Sequence, residues 1–273
     1  MGSNNYVSFD IVGIKHEGNM DSFSFEKNAE YPLDNDRFIR KIVITADISK
    51  ATFYLHDSLK ITKDQISEIL DYLSLYLSNI MIALLKNNFN YSCVLLKPAI
   101  RLSTINLLEA NHIEVRDSVQ IKDSVTRHLT FDNGNEILRK WVQDVDISNY
   151  EIRKEKYDIL FALLQVENMV QKYMAMYAYL MSLVKEINSS QRETQKQVVR
   201  YISDNCSRVE IRLELSHCTR PGARTDENED QFTALRNAIG HPSNMCGTDK
   251  VTEDFINNLA SIICCAIEDI PCR

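Results

Sequence analysis

The chain has 273 residues, 44% of them hydrophobic and 25% charged, and a net charge of −7. This is ordinary globular composition, long enough for one large or two modest domains. The acidic balance excludes general attraction to nucleic acid, so any RNA contact has to come from a local basic patch.

The first 15 residues lack a basic start followed by an apolar run and read as no signal peptide. Tyr6 to Ile14 alternates in part and predicts a strand; Arg40 to Asp47 and Ala51 to His56 predict two more. A helix is expected over Lys63 to Lys86. Its most apolar segment, Ile66 to Leu85, carries Glu68, Asp71, Ser74, Ser78 and Asn79, which marks an amphipathic buried helix and not a membrane span. Cys93 to Leu96, Ile113 to Val115 and Thr126 to Thr130 add short strand signals, and Asp132-Asn133-Gly134-Asn135 marks a loop. Residues 1–140 therefore read as an α+β domain, with a boundary between 133 and 155. His16, His56, His112 and His128 are scattered through it and read as structural or exposed. Its position ahead of a second domain is consistent with sensing, substrate recognition or dimerisation, by analogy alone.

Residues 150–273 read as an all-α domain. Tyr157 to Glu186 has apolar residues at helical spacing, among them Leu160, Leu164, Tyr173, Tyr177, Leu180 and Val184, with no Gly or Pro between. Ser189-Ser190 then breaks the pattern, and Gln191 to Asp204 predicts a second helix. A third is expected over 225–240, with Thr225 or Asp226 as N-cap, acids Glu227, Glu229 and Asp230 in its first turn, and Gly240 and Pro242 at its end. Val251 to Glu268 predicts a fourth, with Phe255, Leu259, Ile262, Ile263 and Ile267 on one face. The segment 205–225 is open to three readings: loop, strand pair or extra helix.

Two groups of residues carry chemistry. Arg192, Lys196 and Arg200 recur every four residues, and between Lys185 and Arg224 eight basic residues stand against five acidic ones. Such a stripe can hold phosphates, or it can be a solvated helix face laced with pairs such as Glu193 with Lys196. The second group is Arg236-Asn237-Ala238-Ile239-Gly240-His241. It brings a fixed planar cation and a base that titrates near neutral pH within a turn and a half. A second Arg-x4-His match, Arg212 to His217, lacks the Asn after the Arg and reads as surface.

Arg-Asn-x3-His closing the third of four helices resembles the HEPN superfamily, whose signature is Arg-x4–6-His with a polar residue after the Arg. The resemblance covers about residues 151–273. It implies a HEPN-like four-helix bundle following the α+β domain. It also implies a metal-independent endoribonuclease of bacterial phage defence or a toxin system, acting as a homodimer whose two motifs face each other. Arg236, Asn237 and His241 are then the site residues. RNA is the substrate, no cofactor is needed, and an antitoxin or other regulatory partner is expected. Some family members are catalytically silent and only bind RNA or protein; that is the alternative reading, followed by a helical scaffold with a chance motif.

The chemistry follows from the groups themselves. RNA carries its own nucleophile, the 2′-OH. A base removes its proton, an Arg stabilises the charge that builds on the phosphorus oxygens, and an acid protonates the departing 5′ oxygen. One His cannot easily stand on both sides of the phosphorus, whereas a two-fold dimer supplies two. His241, at a helix C-terminus, is biased toward its protonated form.

The seven cysteines, at 93, 206, 218, 246, 264, 265 and 272, are odd in number and contain no Cys-x-x-Cys. They point to a reducing cytoplasm, with Cys264 and Cys265 acting as small hydrophobes. Cys206, His217, Cys218 and Cys246 match no standard zinc spacing.

Overall fold

The computed structural model describes residues 5–16, 29–33, 35–45, 49–59, 61–86, 93–106, 145–192, 194–218, 228–240 and 248–271. His241, Pro242, Cys246, Glu193, Arg220, Arg224, Thr225, Asp226 and Glu227 lie outside these residues. So do the strand signals at 113–115 and 126–130, the turn at 132–135, His112 and His128. The chain divides into two compact units, one of residues 1–83 and 98–151, the other of 84–97 and 152–273.

The first unit holds a five-stranded sheet. Its strands are β1 (Tyr6–His16), β2 (Ala29–Pro32), β3 (Ile39–Ile44), β4 (Lys50–Leu55) and β5 (Cys93–Asn106), in the order β2-β3-β4-β1-β5. The pairs β2–β3, β3–β4 and β1–β4 are antiparallel, with Phe9 opposite Ala51 and Val7 opposite Phe53. Alternation sorts the side chains: Ala51, Phe53 and Leu55 of β4 are buried while Thr52 and Tyr54 are not. Helix α1 (Lys63–Lys86) buries Ile69, Leu73, Tyr76, Leu77, Ile80 and Met81 at helical spacing. Tyr76 meets Phe53 edge to face, the ring centroids standing 6.0 Å apart. The sequence signals missed β2 entirely and found only the first residues of β5.

The second unit is helical. It contains most of α2 (Ile147–Leu164), then α3 (Met169–Ile187), α4 (Gln195–Asn205), α5 (Gln231–Gly240) and α6 (Glu253–Asp269). A 3₁₀ turn over Cys206–Val209 and a two-stranded ribbon, β6 (Leu215–His217) with β7 (Asn228–Asp230), occupy the segment for which the sequence offers three readings. Every residue from Leu259 to Ile267 is buried, so α6 is the central helix and α3 packs along it. Phe255 packs at a tilt against Phe232 of α5 and Tyr173 of α3, with ring centroids 4.7 and 5.8 Å apart. Leu85 and Lys86, at the end of α1, belong to this unit: Ser261 donates to the carbonyl of Leu85, and Lys86 ion-pairs with Glu268 at 2.6 Å.

Three expectations are corrected. Tyr157 to Glu186 is two helices, not one, so the unit has five helices among the described residues rather than four. The chain breaks at Gln165–Asn168, where the Asn168 side chain accepts the Gln171 N–H at 3.0 Å and caps α3. The third helix starts at Gln231 and not near 225. Glu229 and Asp230 precede it in β7, and Asp230 Oδ1 caps it by accepting the N–H groups of Phe232 and Thr233. Arg192 lies ahead of α4, whose N-cap is Thr194, so only Lys196 and Arg200 share the helix. No helix among the described residues is long and apolar enough to cross a membrane.

Candidate functional site

Helix α5 positions the two described residues of the motif. Its first turn is anchored from below. Asp230 is wholly buried, and besides its two backbone bonds its Oδ2 accepts the Thr233 hydroxyl at 2.7 Å. Burial pushes the Asp230 carboxyl above the usual aspartate range, against the pull of these hydrogen bonds. The Thr233 and Tyr177 hydroxyls share a 2.7 Å hydrogen bond, and Tyr173 OH donates to the Phe232 carbonyl. Burial raises both phenols, so they serve as neutral donors that lock α5 onto α3.

One turn further on, Asn237 is buried and its amide is engaged at both ends. Its Oδ1 accepts from Gln195 Nε2 at 2.7 Å and from Arg236 Nη1 at 3.0 Å, and its Nδ2 donates to Glu229 Oε1 at 2.8 Å. The same Glu229 oxygen accepts the Cys218 thiol at 2.7 Å. The Asn is therefore a strut between a buried carboxylate and the guanidinium, not a group exposed to phosphate. The Arg236 guanidinium lies over the last turn of α5, with Nη1 3.9 Å from the place where a Gly240 side chain would begin. Arg236 is half-buried and makes no ion pair among the described residues, so its charge is not spent on a carboxylate. An Arg fork with one N–H tied down keeps the rest for an anion. His241 follows Gly240 directly and lies outside the described residues.

The basic candidates divide. Lys196 and Arg200 are exposed on α4 four residues apart, and Arg200 Nε stands 3.7 Å from Asp204. Arg192 is exposed in the preceding turn, held by its backbone to Ser190. Arg208 is bound to Asp269 at 2.7 Å. Because Gln195, the first residue of α4, reaches Asn237, the structure brings the start of α4 against the Arg236 turn. Arg212 and His217 are exposed, and Arg212 offers its carbonyl to Gln231.

Among the described residues no group of three His, Cys, Asp or Glu could hold a metal. Cys206 and Cys218 are buried and apart from any such group, and burial raises the Cys206 thiol to about 11. Burial raises Cys264 and Cys265 as well, so these thiols are poor nucleophiles at neutral pH. His56 is held by the Asp36 carbonyl at 3.0 Å.

Sequence reasoning missed the partners of the motif: Glu229, Gln195 and Cys218. Glu229 stands eight residues before Asn237, and its local signal was that of an acid in a helix first turn. Only the ribbon β6–β7 reveals that it faces the motif. No family model matches this chain, and neither a curated protein nor a solved structure matches it.

Proposed function

We propose that the chain is a metal-independent endoribonuclease of the HEPN kind. Its site is Arg236 and His241, completed across a two-fold axis by a second copy. The single observation that carries this reading is the state of Arg236: a guanidinium tethered by a buried amide, without an ion pair among the described residues, on the turn that leads into His241. Two other arginines are closed by their surroundings: Arg208 onto the Asp269 carboxylate, and Arg153 onto the carbonyls of Ile267, Glu268 and Ile270.

In this reading His241 of one protomer takes the proton of the 2′-OH, and its counterpart in the second protomer protonates the departing 5′ oxygen. Arg236 holds the non-bridging oxygens as charge develops on them. The P–O5′ bond breaks as the P–O2′ bond forms, leaving a 2′,3′-cyclic phosphate and a 5′-OH. Asn237 keeps the guanidinium in place, and Lys196 and Arg200 guide the strand through its phosphates. A place in phage defence or a toxin system, with a regulatory partner, belongs to the same proposal.

The test is cleavage of labelled single-stranded RNA in EDTA by wild type and His241→Ala. EDTA-resistant products with cyclic phosphate ends, lost in the variant, are expected. RNA retention without cleavage by a folded wild-type dimer would instead make the chain a silent binding module.

A further inference from the structure

Glu229 has no part in the chemistry above, yet it is an acid, it is buried, and it is tied to the motif. We infer that Glu229 is the positioning residue of the Arg236 site, fixing the direction of the guanidinium through the Asn237 amide. The inference rests on the proposed nuclease reading for its catalytic consequence, but not for its structural content.

Asn237 carries one acceptor oxygen and two donor hydrogens. Its two possible orientations differ by exchanging O and NH2. Two donors, Gln195 Nε2 and Arg236 Nη1, converge on one side of the amide, and a carboxylate oxygen of Glu229 stands on the other. An ionised carboxylate only accepts. It therefore demands the NH2, and the oxygen must turn toward Arg236. With Glu229 in place the flipped amide would set donor against donor twice and acceptor against acceptor once. Without Glu229 that discrimination weakens, and a buried acceptor for the guanidinium is no longer guaranteed.

The carboxylate is itself held. The Cys218 thiol donates to the same oxygen from the chain just after β6, and Glu229 sits in β7 one residue before the Asp230 cap of α5. Its direction is thus set by the ribbon, not by a flexible loop. Gln195 joins the chain from α4, so the guanidinium is indexed against α4, α5 and the ribbon together. A preorganised cation needs such fixing, because reorganising it during reaction forfeits its advantage.

Two conservative substitutions separate reach from charge. Glu229→Gln keeps the reach and an acceptor oxygen but removes the charge. Glu229→Asp keeps the charge but withdraws the oxygens by about 1.5 Å, one carbon–carbon bond. If Glu229 positions Arg236 by contact, Glu229→Asp lowers kcat by ~10–100-fold with KM little changed, the usual scale for residues that orient a site group, while Glu229→Gln stays close to wild type. In an Arg236→Ala background neither substitution should lower the residual rate further, since the effect travels through Arg236. The second readout needs no cleavage: the 15N resonance of the Arg236 side chain, assigned by its loss in Arg236→Lys. It should be ordered in wild type and Glu229→Gln and averaged in Glu229→Asp. An Arg236 signal equally ordered in all three folded proteins would overturn the inference even if the enzyme is active. An ordered-to-averaged change in a protein that cleaves no RNA would uphold the positioning and sink the nuclease reading instead.

Discussion

Arg236 can clamp a phosphate only if its fork is held still and its charge remains available, and both conditions depend on a single buried amide. Replacing Asn237 by Leu takes a donor from the buried Glu229 carboxylate and an acceptor from the half-buried Gln195 and Arg236. A destabilisation of about 1–3 kcal/mol is expected in urea denaturation, the range for stranded buried polar groups. Arg236→Lys has a different signature. It keeps the charge and loses the planar fork, so cleavage should fall by roughly 100-fold or more while the melting temperature stays within a degree or two of wild type. An equal fall in stability would mean that the arginine is structural. The Arg-Asn-x3-His spacing was legible in the chain because it is local. Glu229 was not, because the contact that gives it meaning runs from β7 to a later turn of α5.

At the scale of elements, caps and breaks decide where the helices lie. The start of α5 depends on Asp230, whose burial raises its folded pKa above the unfolded value. A raised carboxyl contributes stability that is complete below the ordinary aspartate range and is lost as pH rises through the native value. Asp230→Asn keeps a capping oxygen and cannot titrate. It should therefore flatten the acid-side gain in stability, measured as urea midpoints across mildly acidic pH; an unchanged pH profile would show that Asp230 carries no such linkage. Helix α6 is capped in the same way at its start, where Thr252 accepts the Phe255 N–H at 3.2 Å. The strand alternation of β4, the bounds of α1 and most of α6 were readable from periodicity. The break between α2 and α3 was not, since no Gly or Pro marks it. It is made by the Asn168 cap, and the apolar spacing runs on across it.

For the molecule as a whole, a net charge of −7 leaves only local basic areas to attract a polyanion. Removing Lys196 and Arg200 together should reduce the slope of log K against log salt by about 0.7 for each single-strand phosphate that is no longer neutralised. Binding whose salt slope does not change would place the RNA elsewhere. Assembly gives a further check on the composite site. Exchanging wild-type subunits with His241→Ala subunits should lower cleavage by more than simple dilution, because a mixed dimer holds one His241 and the chemistry needs one on each side of the phosphorus. Activity that falls only in proportion to the wild-type fraction would mean that each protomer carries its own complete site.

The sequence by itself determined what depends on near neighbours. It marked the alternating strands of the first unit, the amphipathic helices of both units, the unusual Arg-Asn-x3-His turn, and the acidic balance that rules out general attraction to polyanions. Periodicity and composition are local properties, and local sterics and hydrophobic patterning settle them. Only the tertiary structure decided that Asp230 is a cap rather than a first-turn acid and that Arg192 stands apart from Lys196 and Arg200. It alone set the Asn237 amide between Arg236 and Glu229. Those facts depend on which groups meet across a ribbon and between helices, where a buried acceptor must find its donor whatever their distance along the chain.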